Sequence, residues 1–316
     1  MKYIGDLISE IRRDTNNTDF SSTSGISTED FLRYSNWGQE MLQGLILQST
    51  PMTFIAEKEI SVQANVEAYT IPDNVYLGER IVNVEYTFTG ESKDYYKLPE
   101  EMLSTRRNYP QNYPTSYLRR NGQIILQPPP TSTQGKLRVN YERQLDRLDT
   151  RRGTVSAATV SGALAVTSIT VDIASVSTDD IANFSTAQYI CINDREGNVL
   201  AYNIPVSGYN SGTGGITILG GTFTLQTGET IPVGSFVTIG KYTTTHSKLK
   251  DMCERFIQAY CGWKILGRDS SSGSKLDIAS NELKMMKEEI ITSYQEPDKD
   301  YDDISIVNNS IMLRSY

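Results

Sequence analysis

One histidine, three cysteines and two tryptophans are all that the 316 residues hold of those side chains. The scarcity excludes several chemistries. His246 stands alone, so no cluster of imidazoles is available to hold a metal. Cys253 and Cys261 share one helical segment and stand about 12 Å of helical rise apart, too far for a disulfide. Cys191 falls in a strand-like run. All three are expected as buried free thiols, and no metal-ligand spacing appears. Basic charge is also in short supply: 30 Lys and Arg face 38 Asp and Glu, a formal net charge of −8. That argues against the basic surface that phosphate contacts require. No run of about 18 apolar residues occurs, so no membrane-spanning helix is expected. The first residues, Met1-Lys2-Tyr3-Ile4-Gly5-Asp6, set an acid where a secretion signal has its apolar stretch. Synthesis and assembly in a cytoplasm are therefore expected.

What is present is a chain of 38% hydrophobic and 22% charged residues, rich in Ser, Thr, Asn and Gly. Such a composition folds, and with much β structure and loop. The pattern opens on helices. Tyr3, Ile4, Leu7, Ile8 and Ile11 fall on one face of a helix over 2–14. After a polar loop over 15–25, Ser27 with Asp30 reads as a capping pair. The second helix runs to about Gln48, with an expected buried stripe of Phe31, Tyr34, Trp37, Met41 and Leu45 beside Leu42 and Ile46. Pro51 follows it.

The period then changes to two. Residues 54–62, 67–71 and 80–88 alternate as strands do. Asn121-Gly122 is a hairpin turn between Tyr117-Leu118 and Ile124-Ile125-Leu126. Pro128-Pro129-Pro130 ends that strand, and residues 137–141 form the next. From about 150 to 243 charge thins out and short strands recur between Gly-rich turns, at 165–173, 189–192, 199–204, 215–219 and 236–239. This predicts a second all-β unit, a sandwich or small barrel, with Arg151-Arg152-Gly153 as the linker into it. Helices return with Thr245 or Ser247 as cap, a buried set of Leu249, Met252, Cys253, Phe256, Ile257, Tyr260, Trp263 and Ile265, and Gly267 as stop. The last helix carries Leu276, Ala279, Leu283, Met286, Ile290 and Tyr294 on one stripe and halts at Pro297. The expected fold class is α+β: an antiparallel helical bundle built from the N- and C-terminal helix pairs, with an inserted β domain and a second all-β insertion. The domain bounds are 1–51, 52–149, 150–243, 244–296 and an extended tail, 297–316.

This order resembles the podovirus-type head-to-tail adaptor family of tailed bacteriophages. The residues that carry the resemblance are Phe31 and Trp37 in the second helix, Ala68-Tyr69-Thr70-Ile71-Pro72-Asp73, Pro114-Thr115-Ser116-Tyr117, the run Asn121 to Pro129, and Leu137-Arg138-Val139-Asn140-Tyr141, with the closing helices alike in kind. The resemblance implies a non-enzymatic virion protein at the head–tail interface. It would form a homo-oligomeric, twelvefold ring below the portal, dock tail or nozzle proteins, and let double-stranded DNA pass without sequence-specific binding. It also implies that the C-terminal tail grips the portal protein, here through Ile304, Ile306, Val307, Ile311, Met312 and Leu313. The unit at 150–243 departs from the minimal pattern.

Beside the resemblance, Tyr109, Tyr113, Tyr117, Arg119 and Arg120 are candidate interface residues, since tyrosine supplies contact area with a polar tip. Arg106-Arg107 and Arg119-Arg120 accompany the tyrosines as a small basic patch, for which salt bridges to acidic neighbouring subunits are expected over nucleic-acid contacts. His246 has no nucleophile elbow to serve. Gly212-Thr213-Gly214-Gly215 lacks the Lys-Ser/Thr of a phosphate loop. No cofactor is implied. Two other function classes compete. A virion-associated peptidoglycan hydrolase would need two spaced carboxylates, for which Glu57/Glu59, Glu100/Glu101 and Glu288/Glu289 are the pairs. A host-glycan-binding tail component would need stacking aromatics, and 150–243 has no Trp and only Tyr189, Tyr202, Tyr209 and Tyr242.

Overall fold

The first helix, α1 (Ile4–Asp14), forms because Ile4, Leu7, Ile8 and Ile11 recur at helical spacing, and all four are buried. The second, α2 (Thr28–Ser49), starts as its sequence predicts: Ser27 Oγ accepts the Asp30 N–H at 3.2 Å and donates to the Asp30 carboxylate at 3.0 Å. The computed structural model describes residues 2–15, 26–51, 53–90, 94–102, 113–161, 164–225, 230–268 and 273–295. They fall into two compact units, Met1–Leu45 with Asp146–Tyr316, and Ile46–Leu145.

The inner face of α2 corrects the expected stripe. Phe31, Tyr34, Leu42 and Ile46 are buried, but Trp37 is 44% and Met41 37% exposed. The places expected for them are taken by Asn36 and Gln39. Asn36 donates to Leu148 O and accepts from Leu148 N–H, at 2.9 and 2.7 Å, and Gln39 donates to Asp146 O at 2.8 Å. Buried backbone groups without ladder partners need donors and acceptors more than they need apolar contact. The helix therefore turns amides inward and leaves Trp37 on the rim.

In the Ile46–Leu145 unit, β1 (Ile55–Ser61), β3 (Ile81–Thr87), β4 (Tyr96–Leu98) and β7 (Lys136–Glu142) form an antiparallel sheet in the order β1-β7-β3-β4. A second sheet, β2-β6-β5, joins β2 (Ala68–Thr70), β6 (Gln123–Gln127) and β5 (Ser116–Arg120). Val84, Tyr86, Leu98, Leu137, Val139 and Tyr141 of the first sheet share one core with Tyr69, Tyr117, Ile124 and Leu126 of the second. Alternation puts them there: Leu137, Val139 and Tyr141 point in, while Arg138 and Asn140 are less buried. The β5–β6 hairpin turns on Asn121 and Gly122, at φ 50° and 71°. Both lie in the left-handed region that a two-residue turn of this kind requires.

In the other unit, strands β9 (Gly153–Ser161), β10 (Ala165–Val171), β11 (Tyr189–Asn193), β12 (Val199–Asn210), β13 (Gly215–Ile218) and β15 (Phe236–Ile239) pair in the order β13-β12-β11-β15-β9-β10. Pairing of Ile169 with Ile216 closes β10 back onto β13. The result is a six-stranded antiparallel barrel, extended at β10 by β14 (Phe223–Thr224). Register shifts in the β9–β10, β11–β12 and β12–β13 pairs supply the bends that closure needs. Its core includes Val155, Val166, Ile169, Ile190, Ile192, Ile204 and Val237.

Two expectations are corrected here. The unit is not all-β, because α3 (Thr178–Thr186) lies between β10 and β11. Ser177 caps it by accepting the Asp180 N–H, and it packs Phe184 inward against Tyr209. Nor do Arg151-Arg152-Gly153 form a linker. Gly153 opens β9, and a Cβ there would come within 2.5 Å of a Val171 methyl.

Short strands β8 (Arg147–Leu148) and β16 (Thr243–Thr244) run parallel where the chain enters and leaves the barrel. The N-terminus lies alongside, with Ile4 N–H on Thr245 O and Ser247 N–H on Lys2 O. This use of 245–247 explains why neither Thr245 nor Ser247 caps the next helix. Helix α4 (Asp251–Leu266) begins at Lys250 with no side-chain cap, and Gly267 ends it in the right-handed conformation. Cys253, Phe256, Ile257, Tyr260, Cys261 and Ile265 are buried on it, and Cys191 is buried in β11; all three cysteines are free. Helix α5 (Gly273–Gln295) packs along α4, burying Leu283 and Ile290 and leaving Ile278 and Met285 exposed. Helix α4 also meets α1, and it meets α2 at Gly38, where a Cβ would lie 3.1 Å from the Tyr260 ring.

Candidate interface and its supports

Chemistry-bearing side chains in this structure are engaged mostly with one another. Tyr117 is buried, its hydroxyl donating to Glu100 at 3.3 Å. Arg119 donates to the same carboxylate at 2.7 Å and to Glu79 O at 2.8 Å. The Glu100 hydrogen bond, ahead of the cost of burial, holds Arg119 above the usual guanidinium range. Of the five interface candidates, Tyr113, Arg119 and Arg120 are exposed. Tyr113 is 41% exposed and meets Phe88, itself 43% exposed, edge-on at 4.8 Å. Tyr109 lies outside the described residues, as do Ile304, Ile306, Val307, Ile311, Met312 and Leu313 of the tail.

Of the acidic pairs, Glu57 and Glu59 are engaged in ion pairs. Glu57, Glu59 and Glu85 surround Arg138, whose guanidinium lies 3.7 Å from the centre of the Tyr95 ring. The Tyr95 hydroxyl donates to Glu59 at 2.8 Å and, with Lys136 and Arg138, holds its carboxyl below the usual range. A glycosidase acid needs the opposite shift. His246 is buried against Gly197 and the Tyr3 ring, and Thr245 Oγ1 lies 2.9 Å from its Nδ1. Among the described residues no group of three His, Cys, Asp or Glu side chains could hold a metal ion, and no helix is long and apolar enough to cross a membrane.

Two features escaped sequence reading. The first is a buried ionic hub. Arg152 Nη1 reaches Asp180 at 3.0 Å and Glu29 at 2.6 Å, while its Nε and Nη2 reach Asp149 Oδ1 at 2.9 and 2.6 Å. It ties α2, the β8–β9 connection and α3 together. Burial opposes the charge, but Asp149 and Glu29 overcome it and hold the Arg152 pKa far above its usual value. No local pattern announces such a hub, because Glu29 and Asp180 lie far in sequence from the Asp149–Arg152 pair.

The second is an aromatic and cationic surface on α2 and α4. Tyr34 and Trp37 meet at 5.6 Å, and Tyr260 and Trp263 at 5.8 Å. Lys264 Nζ sits 4.7 Å from the Trp263 ring, 5.5 Å from Tyr260 and 6.0 Å from Trp37, while Arg33 and Arg268 lie over Tyr34. A legible signal existed: Tyr-x-x-Trp occurs in both helices, at 34–37 and 260–263, and i,i+3 side chains share a helix face.

Comparison with known proteins adds the family. The model of the SU10 adaptor protein family matches residues 1–165, which hold α1, α2, the whole β-sandwich unit and the first barrel strand. The closing helices, which also suggested the resemblance, lie beyond the matched range. No curated protein matches the chain. The family is one of phage adaptors. Its members are structural proteins of the virion that work with portal and tail proteins. With more than half of its length matched, the chain belongs to the SU10 adaptor protein family.

Proposed function

We propose that this adaptor assembles as a twelvefold ring below the portal, extends the DNA channel and offers a docking surface to tail or nozzle proteins. The observation that carries the reading is the family match over 1–165. Physical features support it. Helices α1, α2, α4 and α5 form an antiparallel bundle in this reading, with α4 at the centre of the contacts. Trp37, Met41, Ile278 and Met285 stand exposed on these helices, and unmet apolar side chains suit neighbours in a ring. A chain of net charge −8 repels phosphate, so DNA slides through the lumen without being gripped.

In this reading the tail residues Ile304, Ile306, Val307, Ile311, Met312 and Leu313 dock on the portal protein, and Tyr113 and Arg120 face a neighbouring subunit. A ring subunit buries its sides only on assembly, so the isolated chain stays monomeric until a portal templates it. Native mass spectrometry and electron microscopy of the chain mixed with its portal check this. A ring stacked on the portal is expected, and is lost when the chain is ended at Gln295. Absence of any complex at high concentration overturns the reading.

A further inference from the structure

We infer that the surface presented by Trp37, Trp263 and Lys264 is the docking site of this chain's own acidic segment, Glu296 to Asp303, held as an intramolecular latch. The surface combines the exposed Trp37 ring and the half-buried Trp263 ring, backed by the buried rings of Tyr34 and Tyr260, with positive charge. Arg33, Lys264 and Arg268 face a single acid, Asp30, which bonds to both arginines. Lys264 has only aromatic rings as neighbours and no carboxylate partner among the described residues. A patch of net +2 stands out on a chain whose total is −8.

The segment has the matching character. Between Glu296 and Asp303 stand Glu296, Asp298, Asp300, Asp302 and Asp303 against Lys299 alone, a net charge of −4, with Tyr301 among them. Carboxylates reach Lys264 and the guanidinium edges, and Tyr301 reaches the Trp rings.

Geometry allows the latch within one chain. Helix α5 delivers its end to the start of α4: the Tyr294 hydroxyl lies 4.0 Å from Cys253 Sγ, and Ser293 Oγ donates to Met252 Sδ at 3.7 Å. Trp263 is ten residues further along α4, about 15 Å of rise. Eight extended residues span up to about 28 Å, so the segment reaches along α4 to the patch. The apolar residues from Ile304 onward lie beyond the latch and are not needed for it.

The test uses intrinsic fluorescence, because the chain has only two tryptophans and both lie in this surface. Quenching by acrylamide, a neutral probe, is compared between the full chain and a chain ended at Gln295, without portal. The quenching constant is expected to rise about twofold on truncation, as ring faces covered by the segment open to solvent. Salt at 1 M, where the Debye length is about 3 Å, is expected to raise it in the full chain and leave the truncated chain unchanged. Lys264→Gln in the full chain should reproduce the truncation, with circular dichroism showing the helices intact. Equal quenching in full and truncated chains overturns the latch. So does protection that appears only as concentration rises from about 1 to about 100 µM, since that assigns the site to a neighbour's tail. Neither result bears on portal binding, which is measured separately.

Discussion

Removing the Arg152 guanidinium should cost the helix–barrel unit about 3–5 kcal/mol, the penalty of leaving a buried charge without its partner. Asp149 is 5% exposed and Arg152 9%. In an Arg152→Ala chain Asp149 keeps the N–H groups of Thr150 and Ile239, both at 2.9 Å, but loses both guanidinium bonds. Asp180 loses a partner as well, and α3 loses its tie to the connection before β9. Glu29 is a different case. Its side chain is 61% exposed, so Glu29→Gln should cost less than about 1 kcal/mol. Replacing both central partners, as Arg152→Met with Asp149→Leu, removes the stranded charge and should recover much of the loss. The assay is urea unfolding at neutral pH followed by tryptophan fluorescence. Trp37 and Trp263 both belong to this unit, so the signal reports its unfolding separately from the sandwich. A loss below about 1 kcal/mol for Arg152→Ala, or a double variant no more stable than the single one, would refute the claim that the hub bears buried charge.

Three further outcomes follow from the same contacts. His246 is pushed below its ordinary value of 6.5, by burial first and by the nearby N-terminus. Its contribution is therefore complete above that value and declines as pH falls below it, when the unfolded chain takes up the proton more readily. Unfolding free energy measured from pH 8 to about pH 5 should show this decline, and His246→Gln should flatten it. Asn36→Leu leaves the Leu148 N–H and C=O without their partner and should lower stability by about 2–3 kcal/mol in the same urea assay. Burial raises the thiols of Cys191, Cys253 and Cys261, the last to about 12. Ellman's reagent should label none of them in the native chain and all three in denaturant.

Where local pattern and tertiary demand agreed, the sequence was a sufficient guide. The period-two run Leu137-Arg138-Val139-Asn140-Tyr141 became β7, because a strand with one face on a core has no other solution. Asn121-Gly122 turned the hairpin for a purely local reason. Disagreement arose where something distant spoke. Trp37 and Met41 fit the apolar stripe of α2, yet Asn36 and Gln39 take the inward places to satisfy the backbone at 146–148, more than a hundred residues away. Helix α3 was passed over because a nine-residue helix carries one buried side chain, Phe184, too few to show a period. The candidate surface residues divided likewise. The acid that occupies Tyr117 and Arg119, Glu100, bridges beside β5 from 17 residues away, a pairing that no local pattern marks.

The point where the family match stops carries its own structural meaning. Residue 165 opens β10, so the matched range takes in β9 and ends inside the barrel's first hairpin. Strand β9 lies between β15 and β10 in the closed order, and its inward Val155 belongs to the barrel core. A strand buried in that way gains stability only when both neighbours are present, since half its ladder would otherwise face water. The shared framework therefore ends in a strand that cannot stand alone. The parallel pairing of β8 with β16 shows how such an element is accommodated. It holds the chain's exit at 147–148 beside its return at 243–244, so that whatever lies between is tethered at one place next to α2. The Arg152 hub sits on that tether, and it binds the barrel's α3 to α2 through Asp180 and Glu29. If the barrel were only a passenger on the adaptor, severing the hub would leave the helices' stability unchanged. The coupling argued from Asp149 and Arg152 requires that it does not.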